Sequence, residues 1–309
     1  MERVVVVGAG VIGLSCAVRM LEAGHRVDVL ARDLPGETTS AVAAALWYPY
    51  RALPHDRVTT WSAASYDEFA KLATSGHAGV GMLPGTEVLA APTPDPWWAG
   101  AVPDLTRTEP PPPYADAWSF AAPIIEMPVY LRWLVRRVED LGGSVTRMNL
   151  SRLPEGGPPD GPLVVNCAGI GSRLLADDPT VTPVRGQVVV VEQIGLERWW
   201  LDSLGSGDGP TYVVPRSHDI VVGGTDEEGS WSRTPEPESA AAIMKRATAL
   251  VPELARAEVL RHKVGLRPAR PVVRLEREGA VVHCYGHGGA GVTLSWGCAD
   301  EVAALVGAG

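Results

Sequence analysis

The stretch RVVVVGAGVIGLSCAVRMLEAGHRVDVLARD, residues 3–33, constrains the fold more than any other part of the chain. Residues 4–7 are all valine, the unbroken apolar run required of a central parallel strand covered on both faces. Leu14, Ala17, Val18 and Leu21 then recur at helical spacing, and Gly24 ends that helix. At the turn, Gly8, Ala9, Gly10, Val11, Ile12 and Gly13 spell GxGxxG. The first glycine makes the tight turn, the second admits a pyrophosphate to the backbone and the third packs helix on strand, with the helix N-terminus facing the phosphates. Strand, turn, helix and second strand in this order predict a dinucleotide-binding unit and an α/β fold. Which dinucleotide is bound stays open, because the second strand runs into Ala31-Arg32-Asp33. Arg32 suits the 2′-phosphate of NADP and Asp33 suits a ribose hydroxyl.

The rest of the composition narrows the class. A chain of 309 residues fits about two domains, and 46% apolar with 20% charged residues reads as globular. The net charge of −9 supplies no dense basic face and argues against a nucleic-acid partner. No apolar run approaches the ~18 residues of a membrane span, and the first one leads into the glycine turn instead of a cleavage site. Cys16, Cys167, Cys284 and Cys298 are widely separated without a CxxC pair. They read as reduced packing residues of a cytoplasmic protein, and no metal site is expected.

Further along, TTSAVAAALWYPY offers the hydroxyls of Thr38, Thr39 and Ser40, and its small residues fit either a ligand at close range or an N-capped helix. TPDPWWAGAVPDLTRTEPPPPYADAW holds too much proline for helix or central strand and predicts an ordered surface excursion. VYLRWLVRRVEDLGGSVTR predicts a helix followed by a strand, and GPLVVNCAGIGSRLL repeats strand, small residues and helix, so both segments belong beside the first unit. RGQVVVVEQ and TYVVPRSHDIVVGGT alternate like antiparallel strands, and Pro235 opens a helix to about Pro252. The chain thus leaves the nucleotide unit and returns to it at least twice. YGHGGAGVTLSWGCA, from Tyr285, places glycines between a strand and a helical tail, where backbone must approach something closely.

The order of GAGVIGLS, ARD, AALWYPY, VVNCAG, RGQ, YVVP, GLRPARPVVRLERE and YGHGGAGVTLSWGCA resembles the D-amino-acid oxidase family over nearly the whole chain. The resemblance implies FAD and an α/β fold in which a Rossmann-like FAD-binding domain (residues 1–50, 128–184 and 260–309) is interleaved with an antiparallel-sheet α+β substrate domain (residues 51–127 and 185–259); FAD is expected to bind noncovalently, since Cys298 lies beyond the glycine loop at the start of a helix. It implies a D-amino acid and dioxygen as partners, with the Cα hydride passing to the flavin and peroxide released. Arg267 matches the arginine that holds the substrate carboxylate, and Tyr212 the tyrosine that donates to it. Gly289 would offer its carbonyl to the substrate amine. Gly288, Gly289, Ala290, Gly291, Val292 and Thr293 would lie against the flavin ring; Thr38, Thr39, Ser40, Ala44, Ala45, Leu46, Asn149 and Ala168 would line the rest of the cofactor site. Without the resemblance, Arg267 is one arginine of a basic run and Tyr212 a strand residue.

Several positions depart from the family. Asp208, in GSGDGPT, stands where better-known members carry a second tyrosine on a longer lid, so the lid is expected to be short or absent. Ala290 stands where a tyrosine is common, and residues 306–309 lack the peroxisomal tripeptide. Asp226 follows GGT where D-aspartate oxidases place an arginine for the distal carboxylate, which points to neutral D-amino acids. His287 reads as a structural imidazole. A homodimer is allowed. The alternatives are a glycine- or sarcosine-type amine oxidase and a non-catalytic NAD(P)-binding protein.

Overall fold

The computed structural model describes residues 2–157, 161–203 and 209–308. Its fourteen strands are β1 (Arg3–Val7), β2 (Arg26–Ala31), β3 (Val80–Leu89), β4 (Thr106–Arg107), β5 (Asp116–Ile125), β6 (Ser144–Arg147), β7 (Leu163–Asn166), β8 (Thr182–Glu192), β9 (Trp199–Asp202), β10 (Thr211–Pro215), β11 (Asp219–Gly223), β12 (Glu227–Glu228), β13 (Val259–Glu278) and β14 (Val281–His287). The α-helices are α1 (Val11–Glu22), α2 (His55–Ser75), α3 (Met127–Asp140), α4 (Ser172–Leu175), α5 (Pro237–Leu250) and α6 (Gly291–Gly307). Most strands join one sheet in the order β4-β5-β3-β9-β10-β11-β8-β13-β14-β7-β1-β2-β6.

The sheet changes character along its width. From β14 through β7, β1 and β2 to β6 every pairing is parallel. From β13 through β8, β11 and β10 to β9 every pairing is antiparallel. β13 joins the two regions: its first part pairs with β8, its second with β14, and the register shifts between Ala269 and Arg274. Such an irregularity bends a strand, which lets one segment serve two differently oriented regions.

The parallel region is packed by α1, α3 and α6, whose buried Leu14, Val18, Leu134, Leu294 and Val302 meet Val4, Val6, Val27 and Val29 from the strands. β8 is buried along nearly its whole length, where an alternating exposure was expected from its sequence. Val189 and Val191 pack under Ile243 and Ala247 of α5. The opposite face, at Gly186 and Val188, borders the large internal cavity. The tryptophan- and proline-rich excursion is more than surface. Trp98 is only 2% exposed and meets Trp47, Tyr48, Trp118 and Phe120 edge-on or tilted, anchoring the excursion in the core. Trp97 beside it stays half-exposed and stacks on His55. The alanine-rich segment after β2 forms a short 3₁₀ turn, Thr39–Val42, in place of a longer helix.

Candidate active site

One cavity of about 440 Å³ runs from the C-terminal ends of β1 and β2 to the antiparallel region. At its first end Gly8, Ala9, Gly10, Val11 and Ile12 line the wall. A Cβ on Gly8 would stand 2.4 Å from the carbonyl oxygen of Cys167, and one on Gly13 would stand 1.9 Å from that of Gly8. Only glycine closes this turn so tightly. Gly13 therefore packs helix against strand and does not line the cavity. The N-cap of α1 is Gly10, without a side-chain cap; the Val11 amide donates to Ser40 Oγ at 3.0 Å. Helix amides pointing into a glycine-lined cavity suit a pyrophosphate.

Arg32 and Asp33 reach the same wall and are ion-paired to one another at 2.6 Å. The guanidinium hydrogen bond holds the Asp33 carboxyl below its ordinary range, so it stays an ionised acceptor. Thr38, Thr39 and Ser40 line the cavity too, but their hydroxyls are already at work. Thr38 Oγ1 donates to the Pro35 carbonyl at 2.7 Å, and Thr39 Oγ1 donates to that of Leu266 at 3.0 Å, tying this turn to the residue before Arg267. Ala44, Ala45, Leu46, Asn149 and Ala168 complete the wall.

At the far end, Gly288 and Gly289 form the turn after β14, and Gly291, Val292 and Thr293 open α6. All five line the cavity. Ala290 is the N-cap of α6 and faces the core, fully buried. Thr293 Oγ1 accepts from the Tyr48 amide and donates to the Tyr48 carbonyl, each at 3.0 Å, which clamps the turn to ALWYPY.

Tyr212 and Arg267 line the same end of the cavity, Arg267 beside the turn, where a Cβ on Gly289 would lie 3.6 Å from its Cδ. The Arg267 guanidinium lies flat over Gly186, where a Cβ would come within 2.4 Å of Cζ. The Tyr212 ring lies likewise over Gly223 and Gly224. Arg267 Nη1 donates to the Thr225 carbonyl at 2.9 Å, with Asp226 Oδ1 at 3.7 Å. Burial raises the pKa of the Tyr212 hydroxyl, against the pull of Arg267, so it serves as a neutral donor. A guanidinium and a phenol presented together at an apolar cavity suit one carboxylate.

The sequence reading missed Tyr48 and Tyr50, which also line this end, although ALWYPY contains both. Tyr50 packs on Gly289, and its hydroxyl donates to Asp226 Oδ2 at 2.9 Å. Asp226 itself does not border the cavity. It stands behind Tyr50 and Arg267, 9% exposed, with Arg51 at 2.6 Å. Asp208 lies outside the described residues. The cysteines, far apart in sequence, converge: the sulfurs of Cys16, Cys167 and Cys284 all lie within 4.8 Å of one another, and all four thiols are free and buried. A sequence without paired spacing gives no sign of that meeting.

A βαβ glycine turn at the N-terminus of α1 and, on the same cavity, a guanidinium beside a phenol suit a dinucleotide-dependent enzyme acting on a small carboxylate. The family model for FAD dependent oxidoreductases, DAO, matches residues 3–305, and the chain belongs to this family. It is 50% identical to a D-amino-acid oxidase of Rubrobacter xylanophilus, over 99% of this chain and 96% of that protein. It is 46% identical to a D-amino-acid oxidase of Streptomyces coelicolor, over 98% and 96% of the two chains. Among solved structures it shares the fold of the glycine oxidase from Bacillus cereus, with a TM-score of 0.82 at 21% identity, covering 100% of this chain and 95% of that one. Among the described residues, no helix is long and apolar enough to cross a membrane.

Proposed function

We propose that the protein is an FAD-dependent oxidase of D-amino acids, preferring neutral side chains, with FAD held noncovalently. The observation that carries the reading is the placement of Arg267, Tyr212 and the Gly288-Gly289 turn on one cavity, a Cβ on Gly289 lying 3.6 Å from Arg267 Cδ, in a family that depends on FAD. Relatives sharing about half their residues with this chain are D-amino-acid oxidases. In this reading residues 1–50, 128–184 and 260–309 hold the cofactor, and residues 51–127 and 185–259 close the substrate side.

The glycine turn and the α1 N-terminus would take the FAD pyrophosphate, and the α6 N-terminus would face the flavin ring. Bound FAD supplies a two-electron acceptor for the Cα hydride and hands those electrons to dioxygen as peroxide. The protein's own part is orientation. Arg267 presents parallel donors to the substrate carboxylate, Tyr212 adds a third, and Gly289 offers a backbone carbonyl to the amine. Two anchors fix which face of Cα is presented, and so the D configuration is selected. Once the amine is neutral, its lone pair forms the imine, which water converts to the 2-oxo acid and ammonia. His287 is not required for this sequence. Four free, buried thiols agree with a reducing, cytoplasmic setting.

The test is direct. Purified protein should be yellow, release its flavin on acid precipitation, and yield peroxide with D-alanine but not with L-alanine or sarcosine. Flavin retained in the pellet would refute noncovalent binding, and faster turnover of sarcosine would refute the substrate class.

A further inference from the structure

The thiol cluster has a neighbour that packing does not explain. Cys16 lies in α1, Cys284 in β14 and Cys298 in α6, and Cys167 follows β7. The register Asn166↔His283 places Cys167 and Cys284 at adjoining positions of two parallel strands. Buried cysteines commonly serve as small apolar residues. A buried imidazole does not. His287 is 3% exposed, and the polar contact recorded for its ring among the described residues is Cys284 Sγ, 3.9 Å from Nε2. Cys284 Sγ, Cys298 Sγ and one ring nitrogen of His287 all stand within 4.8 Å of one another. The oxidase reading uses none of the three side chains.

We propose that Cys284, His287 and Cys298 form a site for one thiophilic d¹⁰ dication of the zinc class. Three donors so placed can all lie within about 2.8 Å of a single point, so a contraction of roughly half an ångström reaches ordinary zinc–sulfur and zinc–nitrogen lengths. Charge selects this triad over the other one. Two thiolates and a neutral imidazole cancel a dication, which matters where no water screens the site. Cys16, Cys167 and Cys284 would bring three thiolates and leave a net negative charge buried in the core. Cys16 and Cys167 act instead as thiol donors to the Cys284 sulfur, the outer contacts that tune a ligand. The ligands bind as thiolates and neutral imidazole, so protons compete with the ion and affinity climbs with pH. Cys284 and His287 both border the cavity, so the remaining coordination position opens toward it.

The experiment uses FAD-loaded protein, prepared by growth with added zinc and, separately, by incubation with one equivalent of Cd²⁺, whose thiolate absorption is visible in the ultraviolet. After gel filtration both routes should give about one ion per chain, with uptake falling toward pH 5.5. Cys298→Ala and His287→Gln should each weaken Cd²⁺ binding by well over about a hundredfold, and Cys16→Ala by about tenfold to a hundredfold. His287 borders the cavity, so His287→Gln keeps the test intact even if the core cysteine variant misfolds. Protein free of metal by both routes overturns the proposal. So does a Cys16→Ala variant that loses the ion as completely as Cys298→Ala, because the ion would then occupy the other triad. None of these readouts depends on oxidase activity.

Discussion

Replacing Arg267 by leucine separates what the guanidinium does for the substrate from what it does for the fold. Its side chain is 17% exposed, so a substrate carboxylate paired with it is largely withdrawn from water. Leucine would leave that anion desolvated without its partner, a loss on the order of 3–5 kcal/mol, or about two to four decades in kcat/KM. The structure adds a second cost. Nη1 also donates to the Thr225 carbonyl at 2.9 Å and faces Asp226 Oδ1 at 3.7 Å, an oxygen that is buried with no hydrogen bond among the described residues. Orphaning these acceptors should lower stability by roughly 1–3 kcal/mol, softened by Arg51 and Tyr50, which still hold the other Asp226 oxygen. Anaerobic flavin reduction by D-alanine, benzoate binding and Tm should be measured side by side. We expect a loss of saturation far larger than the loss of flavin, and Arg267→Lys should remain impaired because an ammonium lacks the planar fork. An Arg267→Leu variant that binds benzoate and reduces at the parental rate would show that the carboxylate site lies elsewhere.

Other outcomes follow from the same geometry. Gly186→Ala puts a Cβ 2.4 Å from Cζ of Arg267, so it should displace the guanidinium and raise KM strongly while a flavin spectrum persists; an unchanged KM would mean Arg267 is free to shift. Asp226 stands behind the cavity wall and is paired with Arg51 at 2.6 Å, so Asp226→Asn should leave the ratio of D-alanine to D-aspartate turnover within about threefold; a larger change would bring its carboxylate into the specificity. Glu87 is buried beneath Tyr48, whose hydroxyl donates to it at 2.8 Å, and burial pushes its pKa up to about 7. A raised carboxyl pKa gives stability that is complete below the unfolded value and is lost as pH rises through the folded one. Glu87→Gln should therefore flatten a decline on the order of 2–3 kcal/mol between about pH 4.5 and 7.5 in urea unfolding; parallel pH profiles for the two proteins would argue against it.

The sequence by itself determined the local pieces. The four valines, the glycine turn and the helical spacing of Leu14 to Leu21 form the βαβ unit from near neighbours, because the helix closes its own hydrogen bonds and β1 finds one partner in β2, just beyond that helix. Arg267, Tyr212 and the glycine turn were legible only as a motif order, since a basic run and a strand tyrosine carry no sign of their function. Tertiary structure decided what those pieces meet. Gly186 on β8 makes room for a guanidinium from β13, because antiparallel pairing sets Leu266 opposite Arg185 and Gly265 opposite Gly186. Asp226 retreats behind Tyr50 and Arg51 because those residues, remote in sequence, supply its partners in a space with little water. The four cysteines meet because α1, β7, β14 and α6 pack around one layer of the core, a long-range arrangement that no spacing along the chain records.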